Sequence, residues 1–169
     1  MENYSVLMSV YYKEQAENLR EAIDSILNQT VKTNEFIIVK DGPLTEKLDN
    51  TIKEYVEEYP GVFKIVTLKK NMGLAKALNK GIEQCSNEII ARMDSDDISM
   101  PDRMERQLEA MEANRADILS GTIVEFDESV DKPTAKRELP EKNEQIIEFA
   151  KKRSPFNHPA VMYKKSSVL

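Results

Sequence analysis

The chain has one cysteine, one histidine, no tryptophan and only five glycines among its 169 residues. A lone cysteine, Cys85, cannot close an intramolecular disulfide, which suits a reducing cytoplasm. One cysteine and one histidine also exclude a zinc centre of the Cys/His type. No apolar run approaches the roughly 20 residues that cross a bilayer. The opening stretch MENYSVLMSVYYKE lacks the basic and apolar segments of a secretory signal. Positive charge is also short: 24 Lys and Arg against 30 Asp and Glu leave a net charge of −6. A nucleic-acid partner needs a basic face to displace counterions, so none is expected. Three small basic clusters remain, Lys69-Lys70, Lys151-Lys152-Arg153 and Lys164-Lys165. Any of them would suit a small anion or a lipid headgroup, but the last two read more simply as solvated surface.

What is present describes an ordinary soluble globular protein, with 40% hydrophobic and 32% charged residues. Its length suits one compact domain or part of a larger one. Apolar runs at Tyr4 to Val10, Glu35 to Lys40, Phe63 to Leu68 and Glu88 to Met93 read as strands. Helical spacing separates them. It is seen in Leu19, Ile23, Ile26 and Leu27 within 13–29, in Leu48 to Tyr59, and in Leu74 to Cys85. A fourth helix is predicted from near Ser99, where Ser99 and Asp102 resemble a capping box and Pro101 suits a first turn. Asp117 to Phe126 reads as a fifth strand and Asp127 to Pro140 as a surface excursion. A helix within Glu141 to Lys152 and a short strand at Ala160 to Lys164 follow. Strands alternating with helices predict a mainly parallel, Rossmann-like sheet covered on both faces. Ligands in such sheets bind beyond the strands' carboxyl ends.

Four polar loops fall at that edge, and one is unusual. In RMDSDDISMPDR, Asp94, Asp96 and Asp97 crowd the end of the fourth strand. Like charges this close push at least one carboxyl toward its protonated form, unless a cation sits among them. A hard divalent ion such as Mg²⁺ or Mn²⁺ takes one or two such carboxylates, completing its shell with water and substrate phosphate. Single aspartates here would read as turn or cap residues, but Ser99 already offers a cap. Asp41, before Gly42-Pro43, could accept from a base N–H or a ribose hydroxyl. Asn71 and Gly73 precede the third helix, whose N-terminus favours anions. There is neither a Walker A pattern nor a Gly-x-Gly-x-x-Gly, which weakens ATPase and dinucleotide readings.

Taken in order, SVLMSVYYKE, FIIVKDGP, NMGLAKALNKGI and ARMDSDDISMPDRMERQ resemble family 2 glycosyltransferases, in particular bacterial polysaccharide-building members. The likeness runs to about Val124 and continues more weakly through SPFNHPAVMYKKS. It implies a GT-A fold, a nucleotide-diphospho-sugar donor (UDP-linked in many members), Mn²⁺ or Mg²⁺, and inversion at the anomeric carbon. It places Val10, Tyr11 and Tyr12 around the nucleobase and ribose, Asp41 on the base, and Asn71, Gly73 and Lys76 near the nucleotide. Asp94, with Ser95 beside it, would meet ribose or metal. Asp96 would hold the metal, with Asp97 secondary. His158 matches a position near the donor and is a further candidate for the metal, although a lone histidine is more often structural.

The family's general base is a carboxylate in the acceptor-binding half. None of Glu125, Asp127 or Glu128 matches it, and the base is expected beyond Leu169. The expectation is therefore a single donor-binding domain over 1–169, truncated before the acceptor half, that binds donor and metal but transfers sugar poorly. The acceptor would be a saccharide or a lipid-linked saccharide. The parent enzyme would be cytoplasmic, with peripheral association at the inner membrane face open to it. Two other readings, one an enzyme and one a signalling module, fit less well. A sugar nucleotidyltransferase needs a Gly-rich basic loop after the first strand, and a phosphoacceptor receiver places its paired acids there. A binding module without turnover is the remaining alternative.

Overall fold

The computed structural model describes residues 3–127 and 132–169; Glu128 lies outside them. Strand β1 (Tyr4–Val10) leads through helix α1 (Ala16–Leu27) to β2 (Glu35–Lys40). Helix α2 (Glu46–Glu58) leads to β3 (Phe63–Thr67), and α3 (Leu74–Gln84) to β4 (Ile89–Asp94). These four strands pair in parallel in the order β3-β2-β1-β4. Their residues alternate between two cores. Val6, Met8 and Val10 of β1 face the cluster under α1, α2 and α4 (Arg103–Asn114), together with Ile23, Ile52 and Leu108. Leu7 faces the opposite way, onto Ala77, Leu78 and Ile82 of α3. Burying each such side chain contributes roughly 1.5–3 kcal/mol, so both helix layers hold the sheet edge-on to solvent at its carboxyl ends.

The second half departs from the expected strands. The predicted strand over 117–126 is two strands, β5 (Ile118–Ser120) and β6 (Ile123–Phe126), divided at Gly121-Thr122. The predicted surface excursion contains β7 (Pro133–Arg137), which pairs antiparallel with β6 in a separate hairpin. Every described residue of β7 is exposed, so no apolar alternation signals it. Helix α5 (Asn143–Ala150) is shorter than its sequence pattern, with no buried residue. Strand β8 (Val161–Lys164) inserts antiparallel between β4 and β5 and completes a six-stranded sheet.

Helix α4 begins at Arg103, four residues later than predicted. The Ser99–Asp102 capping box does not form. Asp102 precedes the helix without a side-chain cap, and its carboxylate instead pairs with Arg106 at 2.8 Å. The eight residues 95–102 are thereby freed to run as an irregular turn across the sheet's carboxyl edge.

Candidate active site

The strand ends and their loops enclose an open cleft of about 450 Å³. Ser9, Tyr11 and Glu14 enter from β1 and the loop after it. Asp41 comes from the end of β2, Asn71 and Gly73 from the loop before α3, and Asp94, Ser95 and Asp96 from the end of β4. Parallel pairing puts them together: Ser9 lies beside Asp94, and Asp41 follows the Val10–Lys40 pair.

The acidic turn is not uniform. Asp94 is bound by Arg92, two residues earlier on the same strand face. Nη1 donates to one carboxylate oxygen at 2.7 Å, and Nη2 donates to the other. Arg92 is among the largest fully buried side chains, at 2% exposure. Burial lowers its basicity, and Asp94 opposes that effect. Asp96 is exposed, and its carboxyl is pushed up by desolvation, then by Glu14 and Asp94. Asp97 is half-buried and pushed up to about 6, by burial first and then by Asp94 and Asp96. Beneath the turn, Arg103 donates through Nη2 to the Arg92 carbonyl at 2.8 Å; burial and the nearby Arg92 bring it down to about 10. One carboxylate of the turn is thus already neutralised, and the others remain under mutual repulsion.

That arrangement fits a hard divalent cation that takes one or two carboxylates and leaves the rest of its shell to water and phosphate. Asp96 is the exposed member, with Asp94 and Asp97 adjoining. Among the described residues no three His, Cys, Asp or Glu side chains form a ready-made cage, so the ligand itself would have to supply coordination.

Asp41 is 3% exposed and does more than form a turn. One oxygen accepts from the Met72 N–H at 2.7 Å and the other from the Gly73 N–H at 3.0 Å. The carboxylate therefore clamps the loop before α3 against the end of β2. Gly73 has φ +86° at the helix start, and Gly42 has φ +90°, where any Cβ would run into the Asn71 backbone. Both conformations favour glycine.

The remaining predicted residues divide. Val10 is buried in the core and reaches the site only through its carbonyl, which accepts from the Asp41 N–H at 2.8 Å. Tyr11 lines the cleft; Tyr12 is exposed beside it, edge to face, with ring centroids 5.9 Å apart. Lys76 is exposed on α3, outside the cleft lining. His158 opens the short turn His158–Ala160 before β8, close enough to Arg92 and Asp94 for both to act on it. Burial and Arg92 lower its basicity, and Asp94 raises it. Sequence reasoning missed Ser9 and Glu14. Glu14 accepts from the Ser95 hydroxyl at 2.6 Å and from the Gln15 N–H at 2.8 Å. Its signal was a charged pair, Lys13-Glu14, in a loop already assigned to the site.

The model of the family described as Glycosyl transferase family 2 matches residues 5–168. The chain belongs to glycosyl transferase family 2. It is 43% identical over 167 residues to the amylovoran biosynthesis glycosyltransferase AmsE of Erwinia amylovora, covering 98% of this chain and 61% of that one. It is 40% identical over 167 residues to an Escherichia coli UDP-Gal:alpha-D-GlcNAc-diphosphoundecaprenol beta-1,3-galactosyltransferase, covering 98% and 60%. The chain thus spans about three fifths of the length of these curated relatives. Among solved structures, the mannosyltransferase PcManGT of Pyrobaculum calidifontis, in complex with GDP-Man and Mn²⁺, superposes with a TM-score of 0.68. It shares 15% identity, over 96% of this chain and 44% of that one. That likeness bears on the fold: this family 2 chain has the mostly parallel sheet that the resemblance implied.

Proposed function

We propose that this chain is the donor-binding part of a metal-dependent, inverting glycosyltransferase of polysaccharide synthesis. The donor would be a nucleotide-diphospho-sugar, UDP-linked in preference to GDP-linked. The acceptor would be a saccharide or a lipid-linked saccharide such as the E. coli relative's name describes. The observation that carries the reading is the acidic turn. Its exposed Asp96 stands against Glu14 and Asp94 at the mouth of a cleft whose other walls are Tyr11, Asp41 and Asn71.

In this reading Tyr11, with Tyr12 beside it, flanks the base. Asp41 accepts from the base with the lone pairs that its two backbone donors leave over. Asn71 and Gly73 lie along the nucleotide, and Asp94 sits beside the ribose. Asp96, joined by Asp94 or Asp97, holds Mn²⁺ or Mg²⁺. Such an ion neutralises the diphosphate and makes it a better leaving group. His158 borders the donor next to Asp94. The acceptor hydroxyl attacks the anomeric carbon as the bond to the diphosphate breaks, and a general base must take its proton. We assign that base, and the acceptor-binding half, to the further length that the relatives carry. Donor binding with little or no turnover is then the expected behaviour of residues 1–169. We place the parent enzyme in the cytoplasm, at the membrane face if its acceptor is lipid-linked; no described helix is long and apolar enough to cross a membrane.

Calorimetric titration of UDP and of GDP, with and without Mn²⁺, tests this. Metal-dependent binding of UDP is expected, weakened at least about tenfold in Asp96→Ala, which is the loss of one charged contact. A folded wild-type chain that binds neither diphosphate in the presence of Mn²⁺ would sink the reading.

A further inference from the structure

The turn that carries Asp96 and Asp97 has no regular structure of its own, yet it holds like charges together. Its anchors come from α1 and the residues that flank that helix. At its start, the Ser95 hydroxyl donates to Glu14, just ahead of α1, at 2.6 Å. Further along, the Ser99 N–H donates to the Ser25 hydroxyl of α1 at 3.0 Å, and the Thr30 N–H, just past α1, donates to the Pro101 carbonyl at 2.9 Å.

The central anchor is Gln29, 1% exposed and absent from the cleft lining. Its Nε2 donates to the Ser25 carbonyl and to the Met100 carbonyl, both at 2.8 Å. Its Oε1 accepts from the Met104 N–H at 3.0 Å. Met104 is the second residue of α4, where a helix has a backbone donor with no partner in its own turns. With Asp102 giving no side-chain cap, Gln29 acts as the cap of α4 from the segment just past α1. Both of its donors and its acceptor are engaged, so its carboxamide has one orientation.

We propose that α1 is a splint for the acidic turn and that Gln29 is a positioning residue for Asp96. The 12-residue helix, roughly 18 Å long at 1.5 Å per residue, sets the spacing of the grip: Glu14 holds the turn from before its start, and Ser25, Gln29 and Thr30 hold it from around its end. The Ser95 anchor and the Ser99 anchor bracket Asp96, Asp97 and Ile98. Repulsion among Asp94, Asp96 and Glu14 would splay that span if it were loosely held. The splint keeps the carboxylates together before any cation arrives, so that ordering the turn is not charged against binding. This extends the donor-site reading through its binding readout, while its structural part stands apart from it.

The test compares Gln29→Met with Phe63→Leu. The first keeps side-chain length and removes the carboxamide. The second loosens the Phe36–Phe63 ring stack at the opposite end of the sheet and serves as a control for lost stability. Amide exchange is measured on the ligand-free proteins, and UDP affinity with Mn²⁺ is measured below both melting temperatures. In Gln29→Met, exchange over residues 96–104 should speed at least about tenfold beyond the control, and the Kd should rise about tenfold, as misplaced site groups cause. Exchange like the control overturns the splint. Faster exchange with an unchanged Kd overturns the positioning role and leaves Gln29 a structural cap. If the wild type binds neither UDP nor GDP, the donor reading fails, and the exchange comparison alone decides the splint.

Discussion

Arg92 and Asp94 share one strand face, and their burial differs sharply: the side chains are 2% and 29% exposed. A buried guanidinium stripped of its counter-charge is costly, by about 3–5 kcal/mol where such pairs have been broken. Asp94→Ala should therefore destabilise the fold by about 3 kcal/mol. Asp96→Ala, at an exposed position, should stay within about 0.5 kcal/mol. Adding Arg92→Met to Asp94→Ala should recover part of the loss. Urea unfolding of the three variants reads this directly, and an Asp94→Ala protein as stable as Asp96→Ala would refute it. Lost UDP binding at Asp94 would then mix folding with ligand contact, whereas Asp96 reports on ligand alone. Asp97 supplies a pH signature. Its carboxyl is pushed from 3.8 up to about 6, chiefly by burial, so the folded chain holds the proton more tightly than the unfolded one. That contribution is complete below about pH 4 and is lost as pH rises through about 6. The metal-free protein should accordingly melt lower at about pH 7 than at about pH 5, and Asp97→Asn should flatten the slope.

At the scale of elements, the site is a set of loops, each clamped by a neighbour. The loop before α3 is held by Asp41 at one side and by Gly42 at its back. A Cβ on Gly42 would stand 2.5 Å from the Asn71 nitrogen and 2.9 Å from the Lys70 carbonyl carbon, both backbone atoms that cannot swing away. The φ of +90° adds strain for any L side chain. Gly42→Ala should cost about 1–3 kcal/mol and displace Asn71, weakening UDP binding as well as stability. A thermal melt and a UDP titration would show both losses; normal values in both would mean that the loop has room to shift. The sequence presented Asp41-Gly42-Pro43 as a turn whose carboxylate could meet a ligand, and gave no sign that it holds another loop. Its second role depends on contacts 31 residues away, which no local period encodes. The same holds for α4. Ser99, Pro101 and Asp102 carry every local mark of a helix start, but Gln29, just past α1, supplies the cap and the helix begins at Arg103.

Over the whole molecule, the antiparallel β8 is the decisive departure from a simple alternating sheet. It pairs with β4 and β5, and the turn before it brings His158 to the Arg92–Asp94 pair. Buried Gln107 of α4 donates to the Ala160 carbonyl at 2.7 Å, and Asn157 donates to the Gly121 and Arg137 carbonyls at 2.9 and 3.1 Å. The first of these bonds ties β8's approach to α4, and the other two tie the later segments to one another. The apolar runs by themselves determined the four parallel strands, the helices between them and the edge at which the site lies. Period-2 and helical spacings are local, and burial on two faces leaves few ways to stack them. The residue types of the acidic turn likewise marked its chemistry. Only the tertiary structure decided which carboxylate is neutralised by Arg92, which is left exposed, what holds the turn, and where the exposed strand β7 and the inserted β8 run. Those outcomes rest on single hydrogen bonds and ion pairs, most of them between residues far apart in the chain, and their partners become neighbours only after the cores have closed.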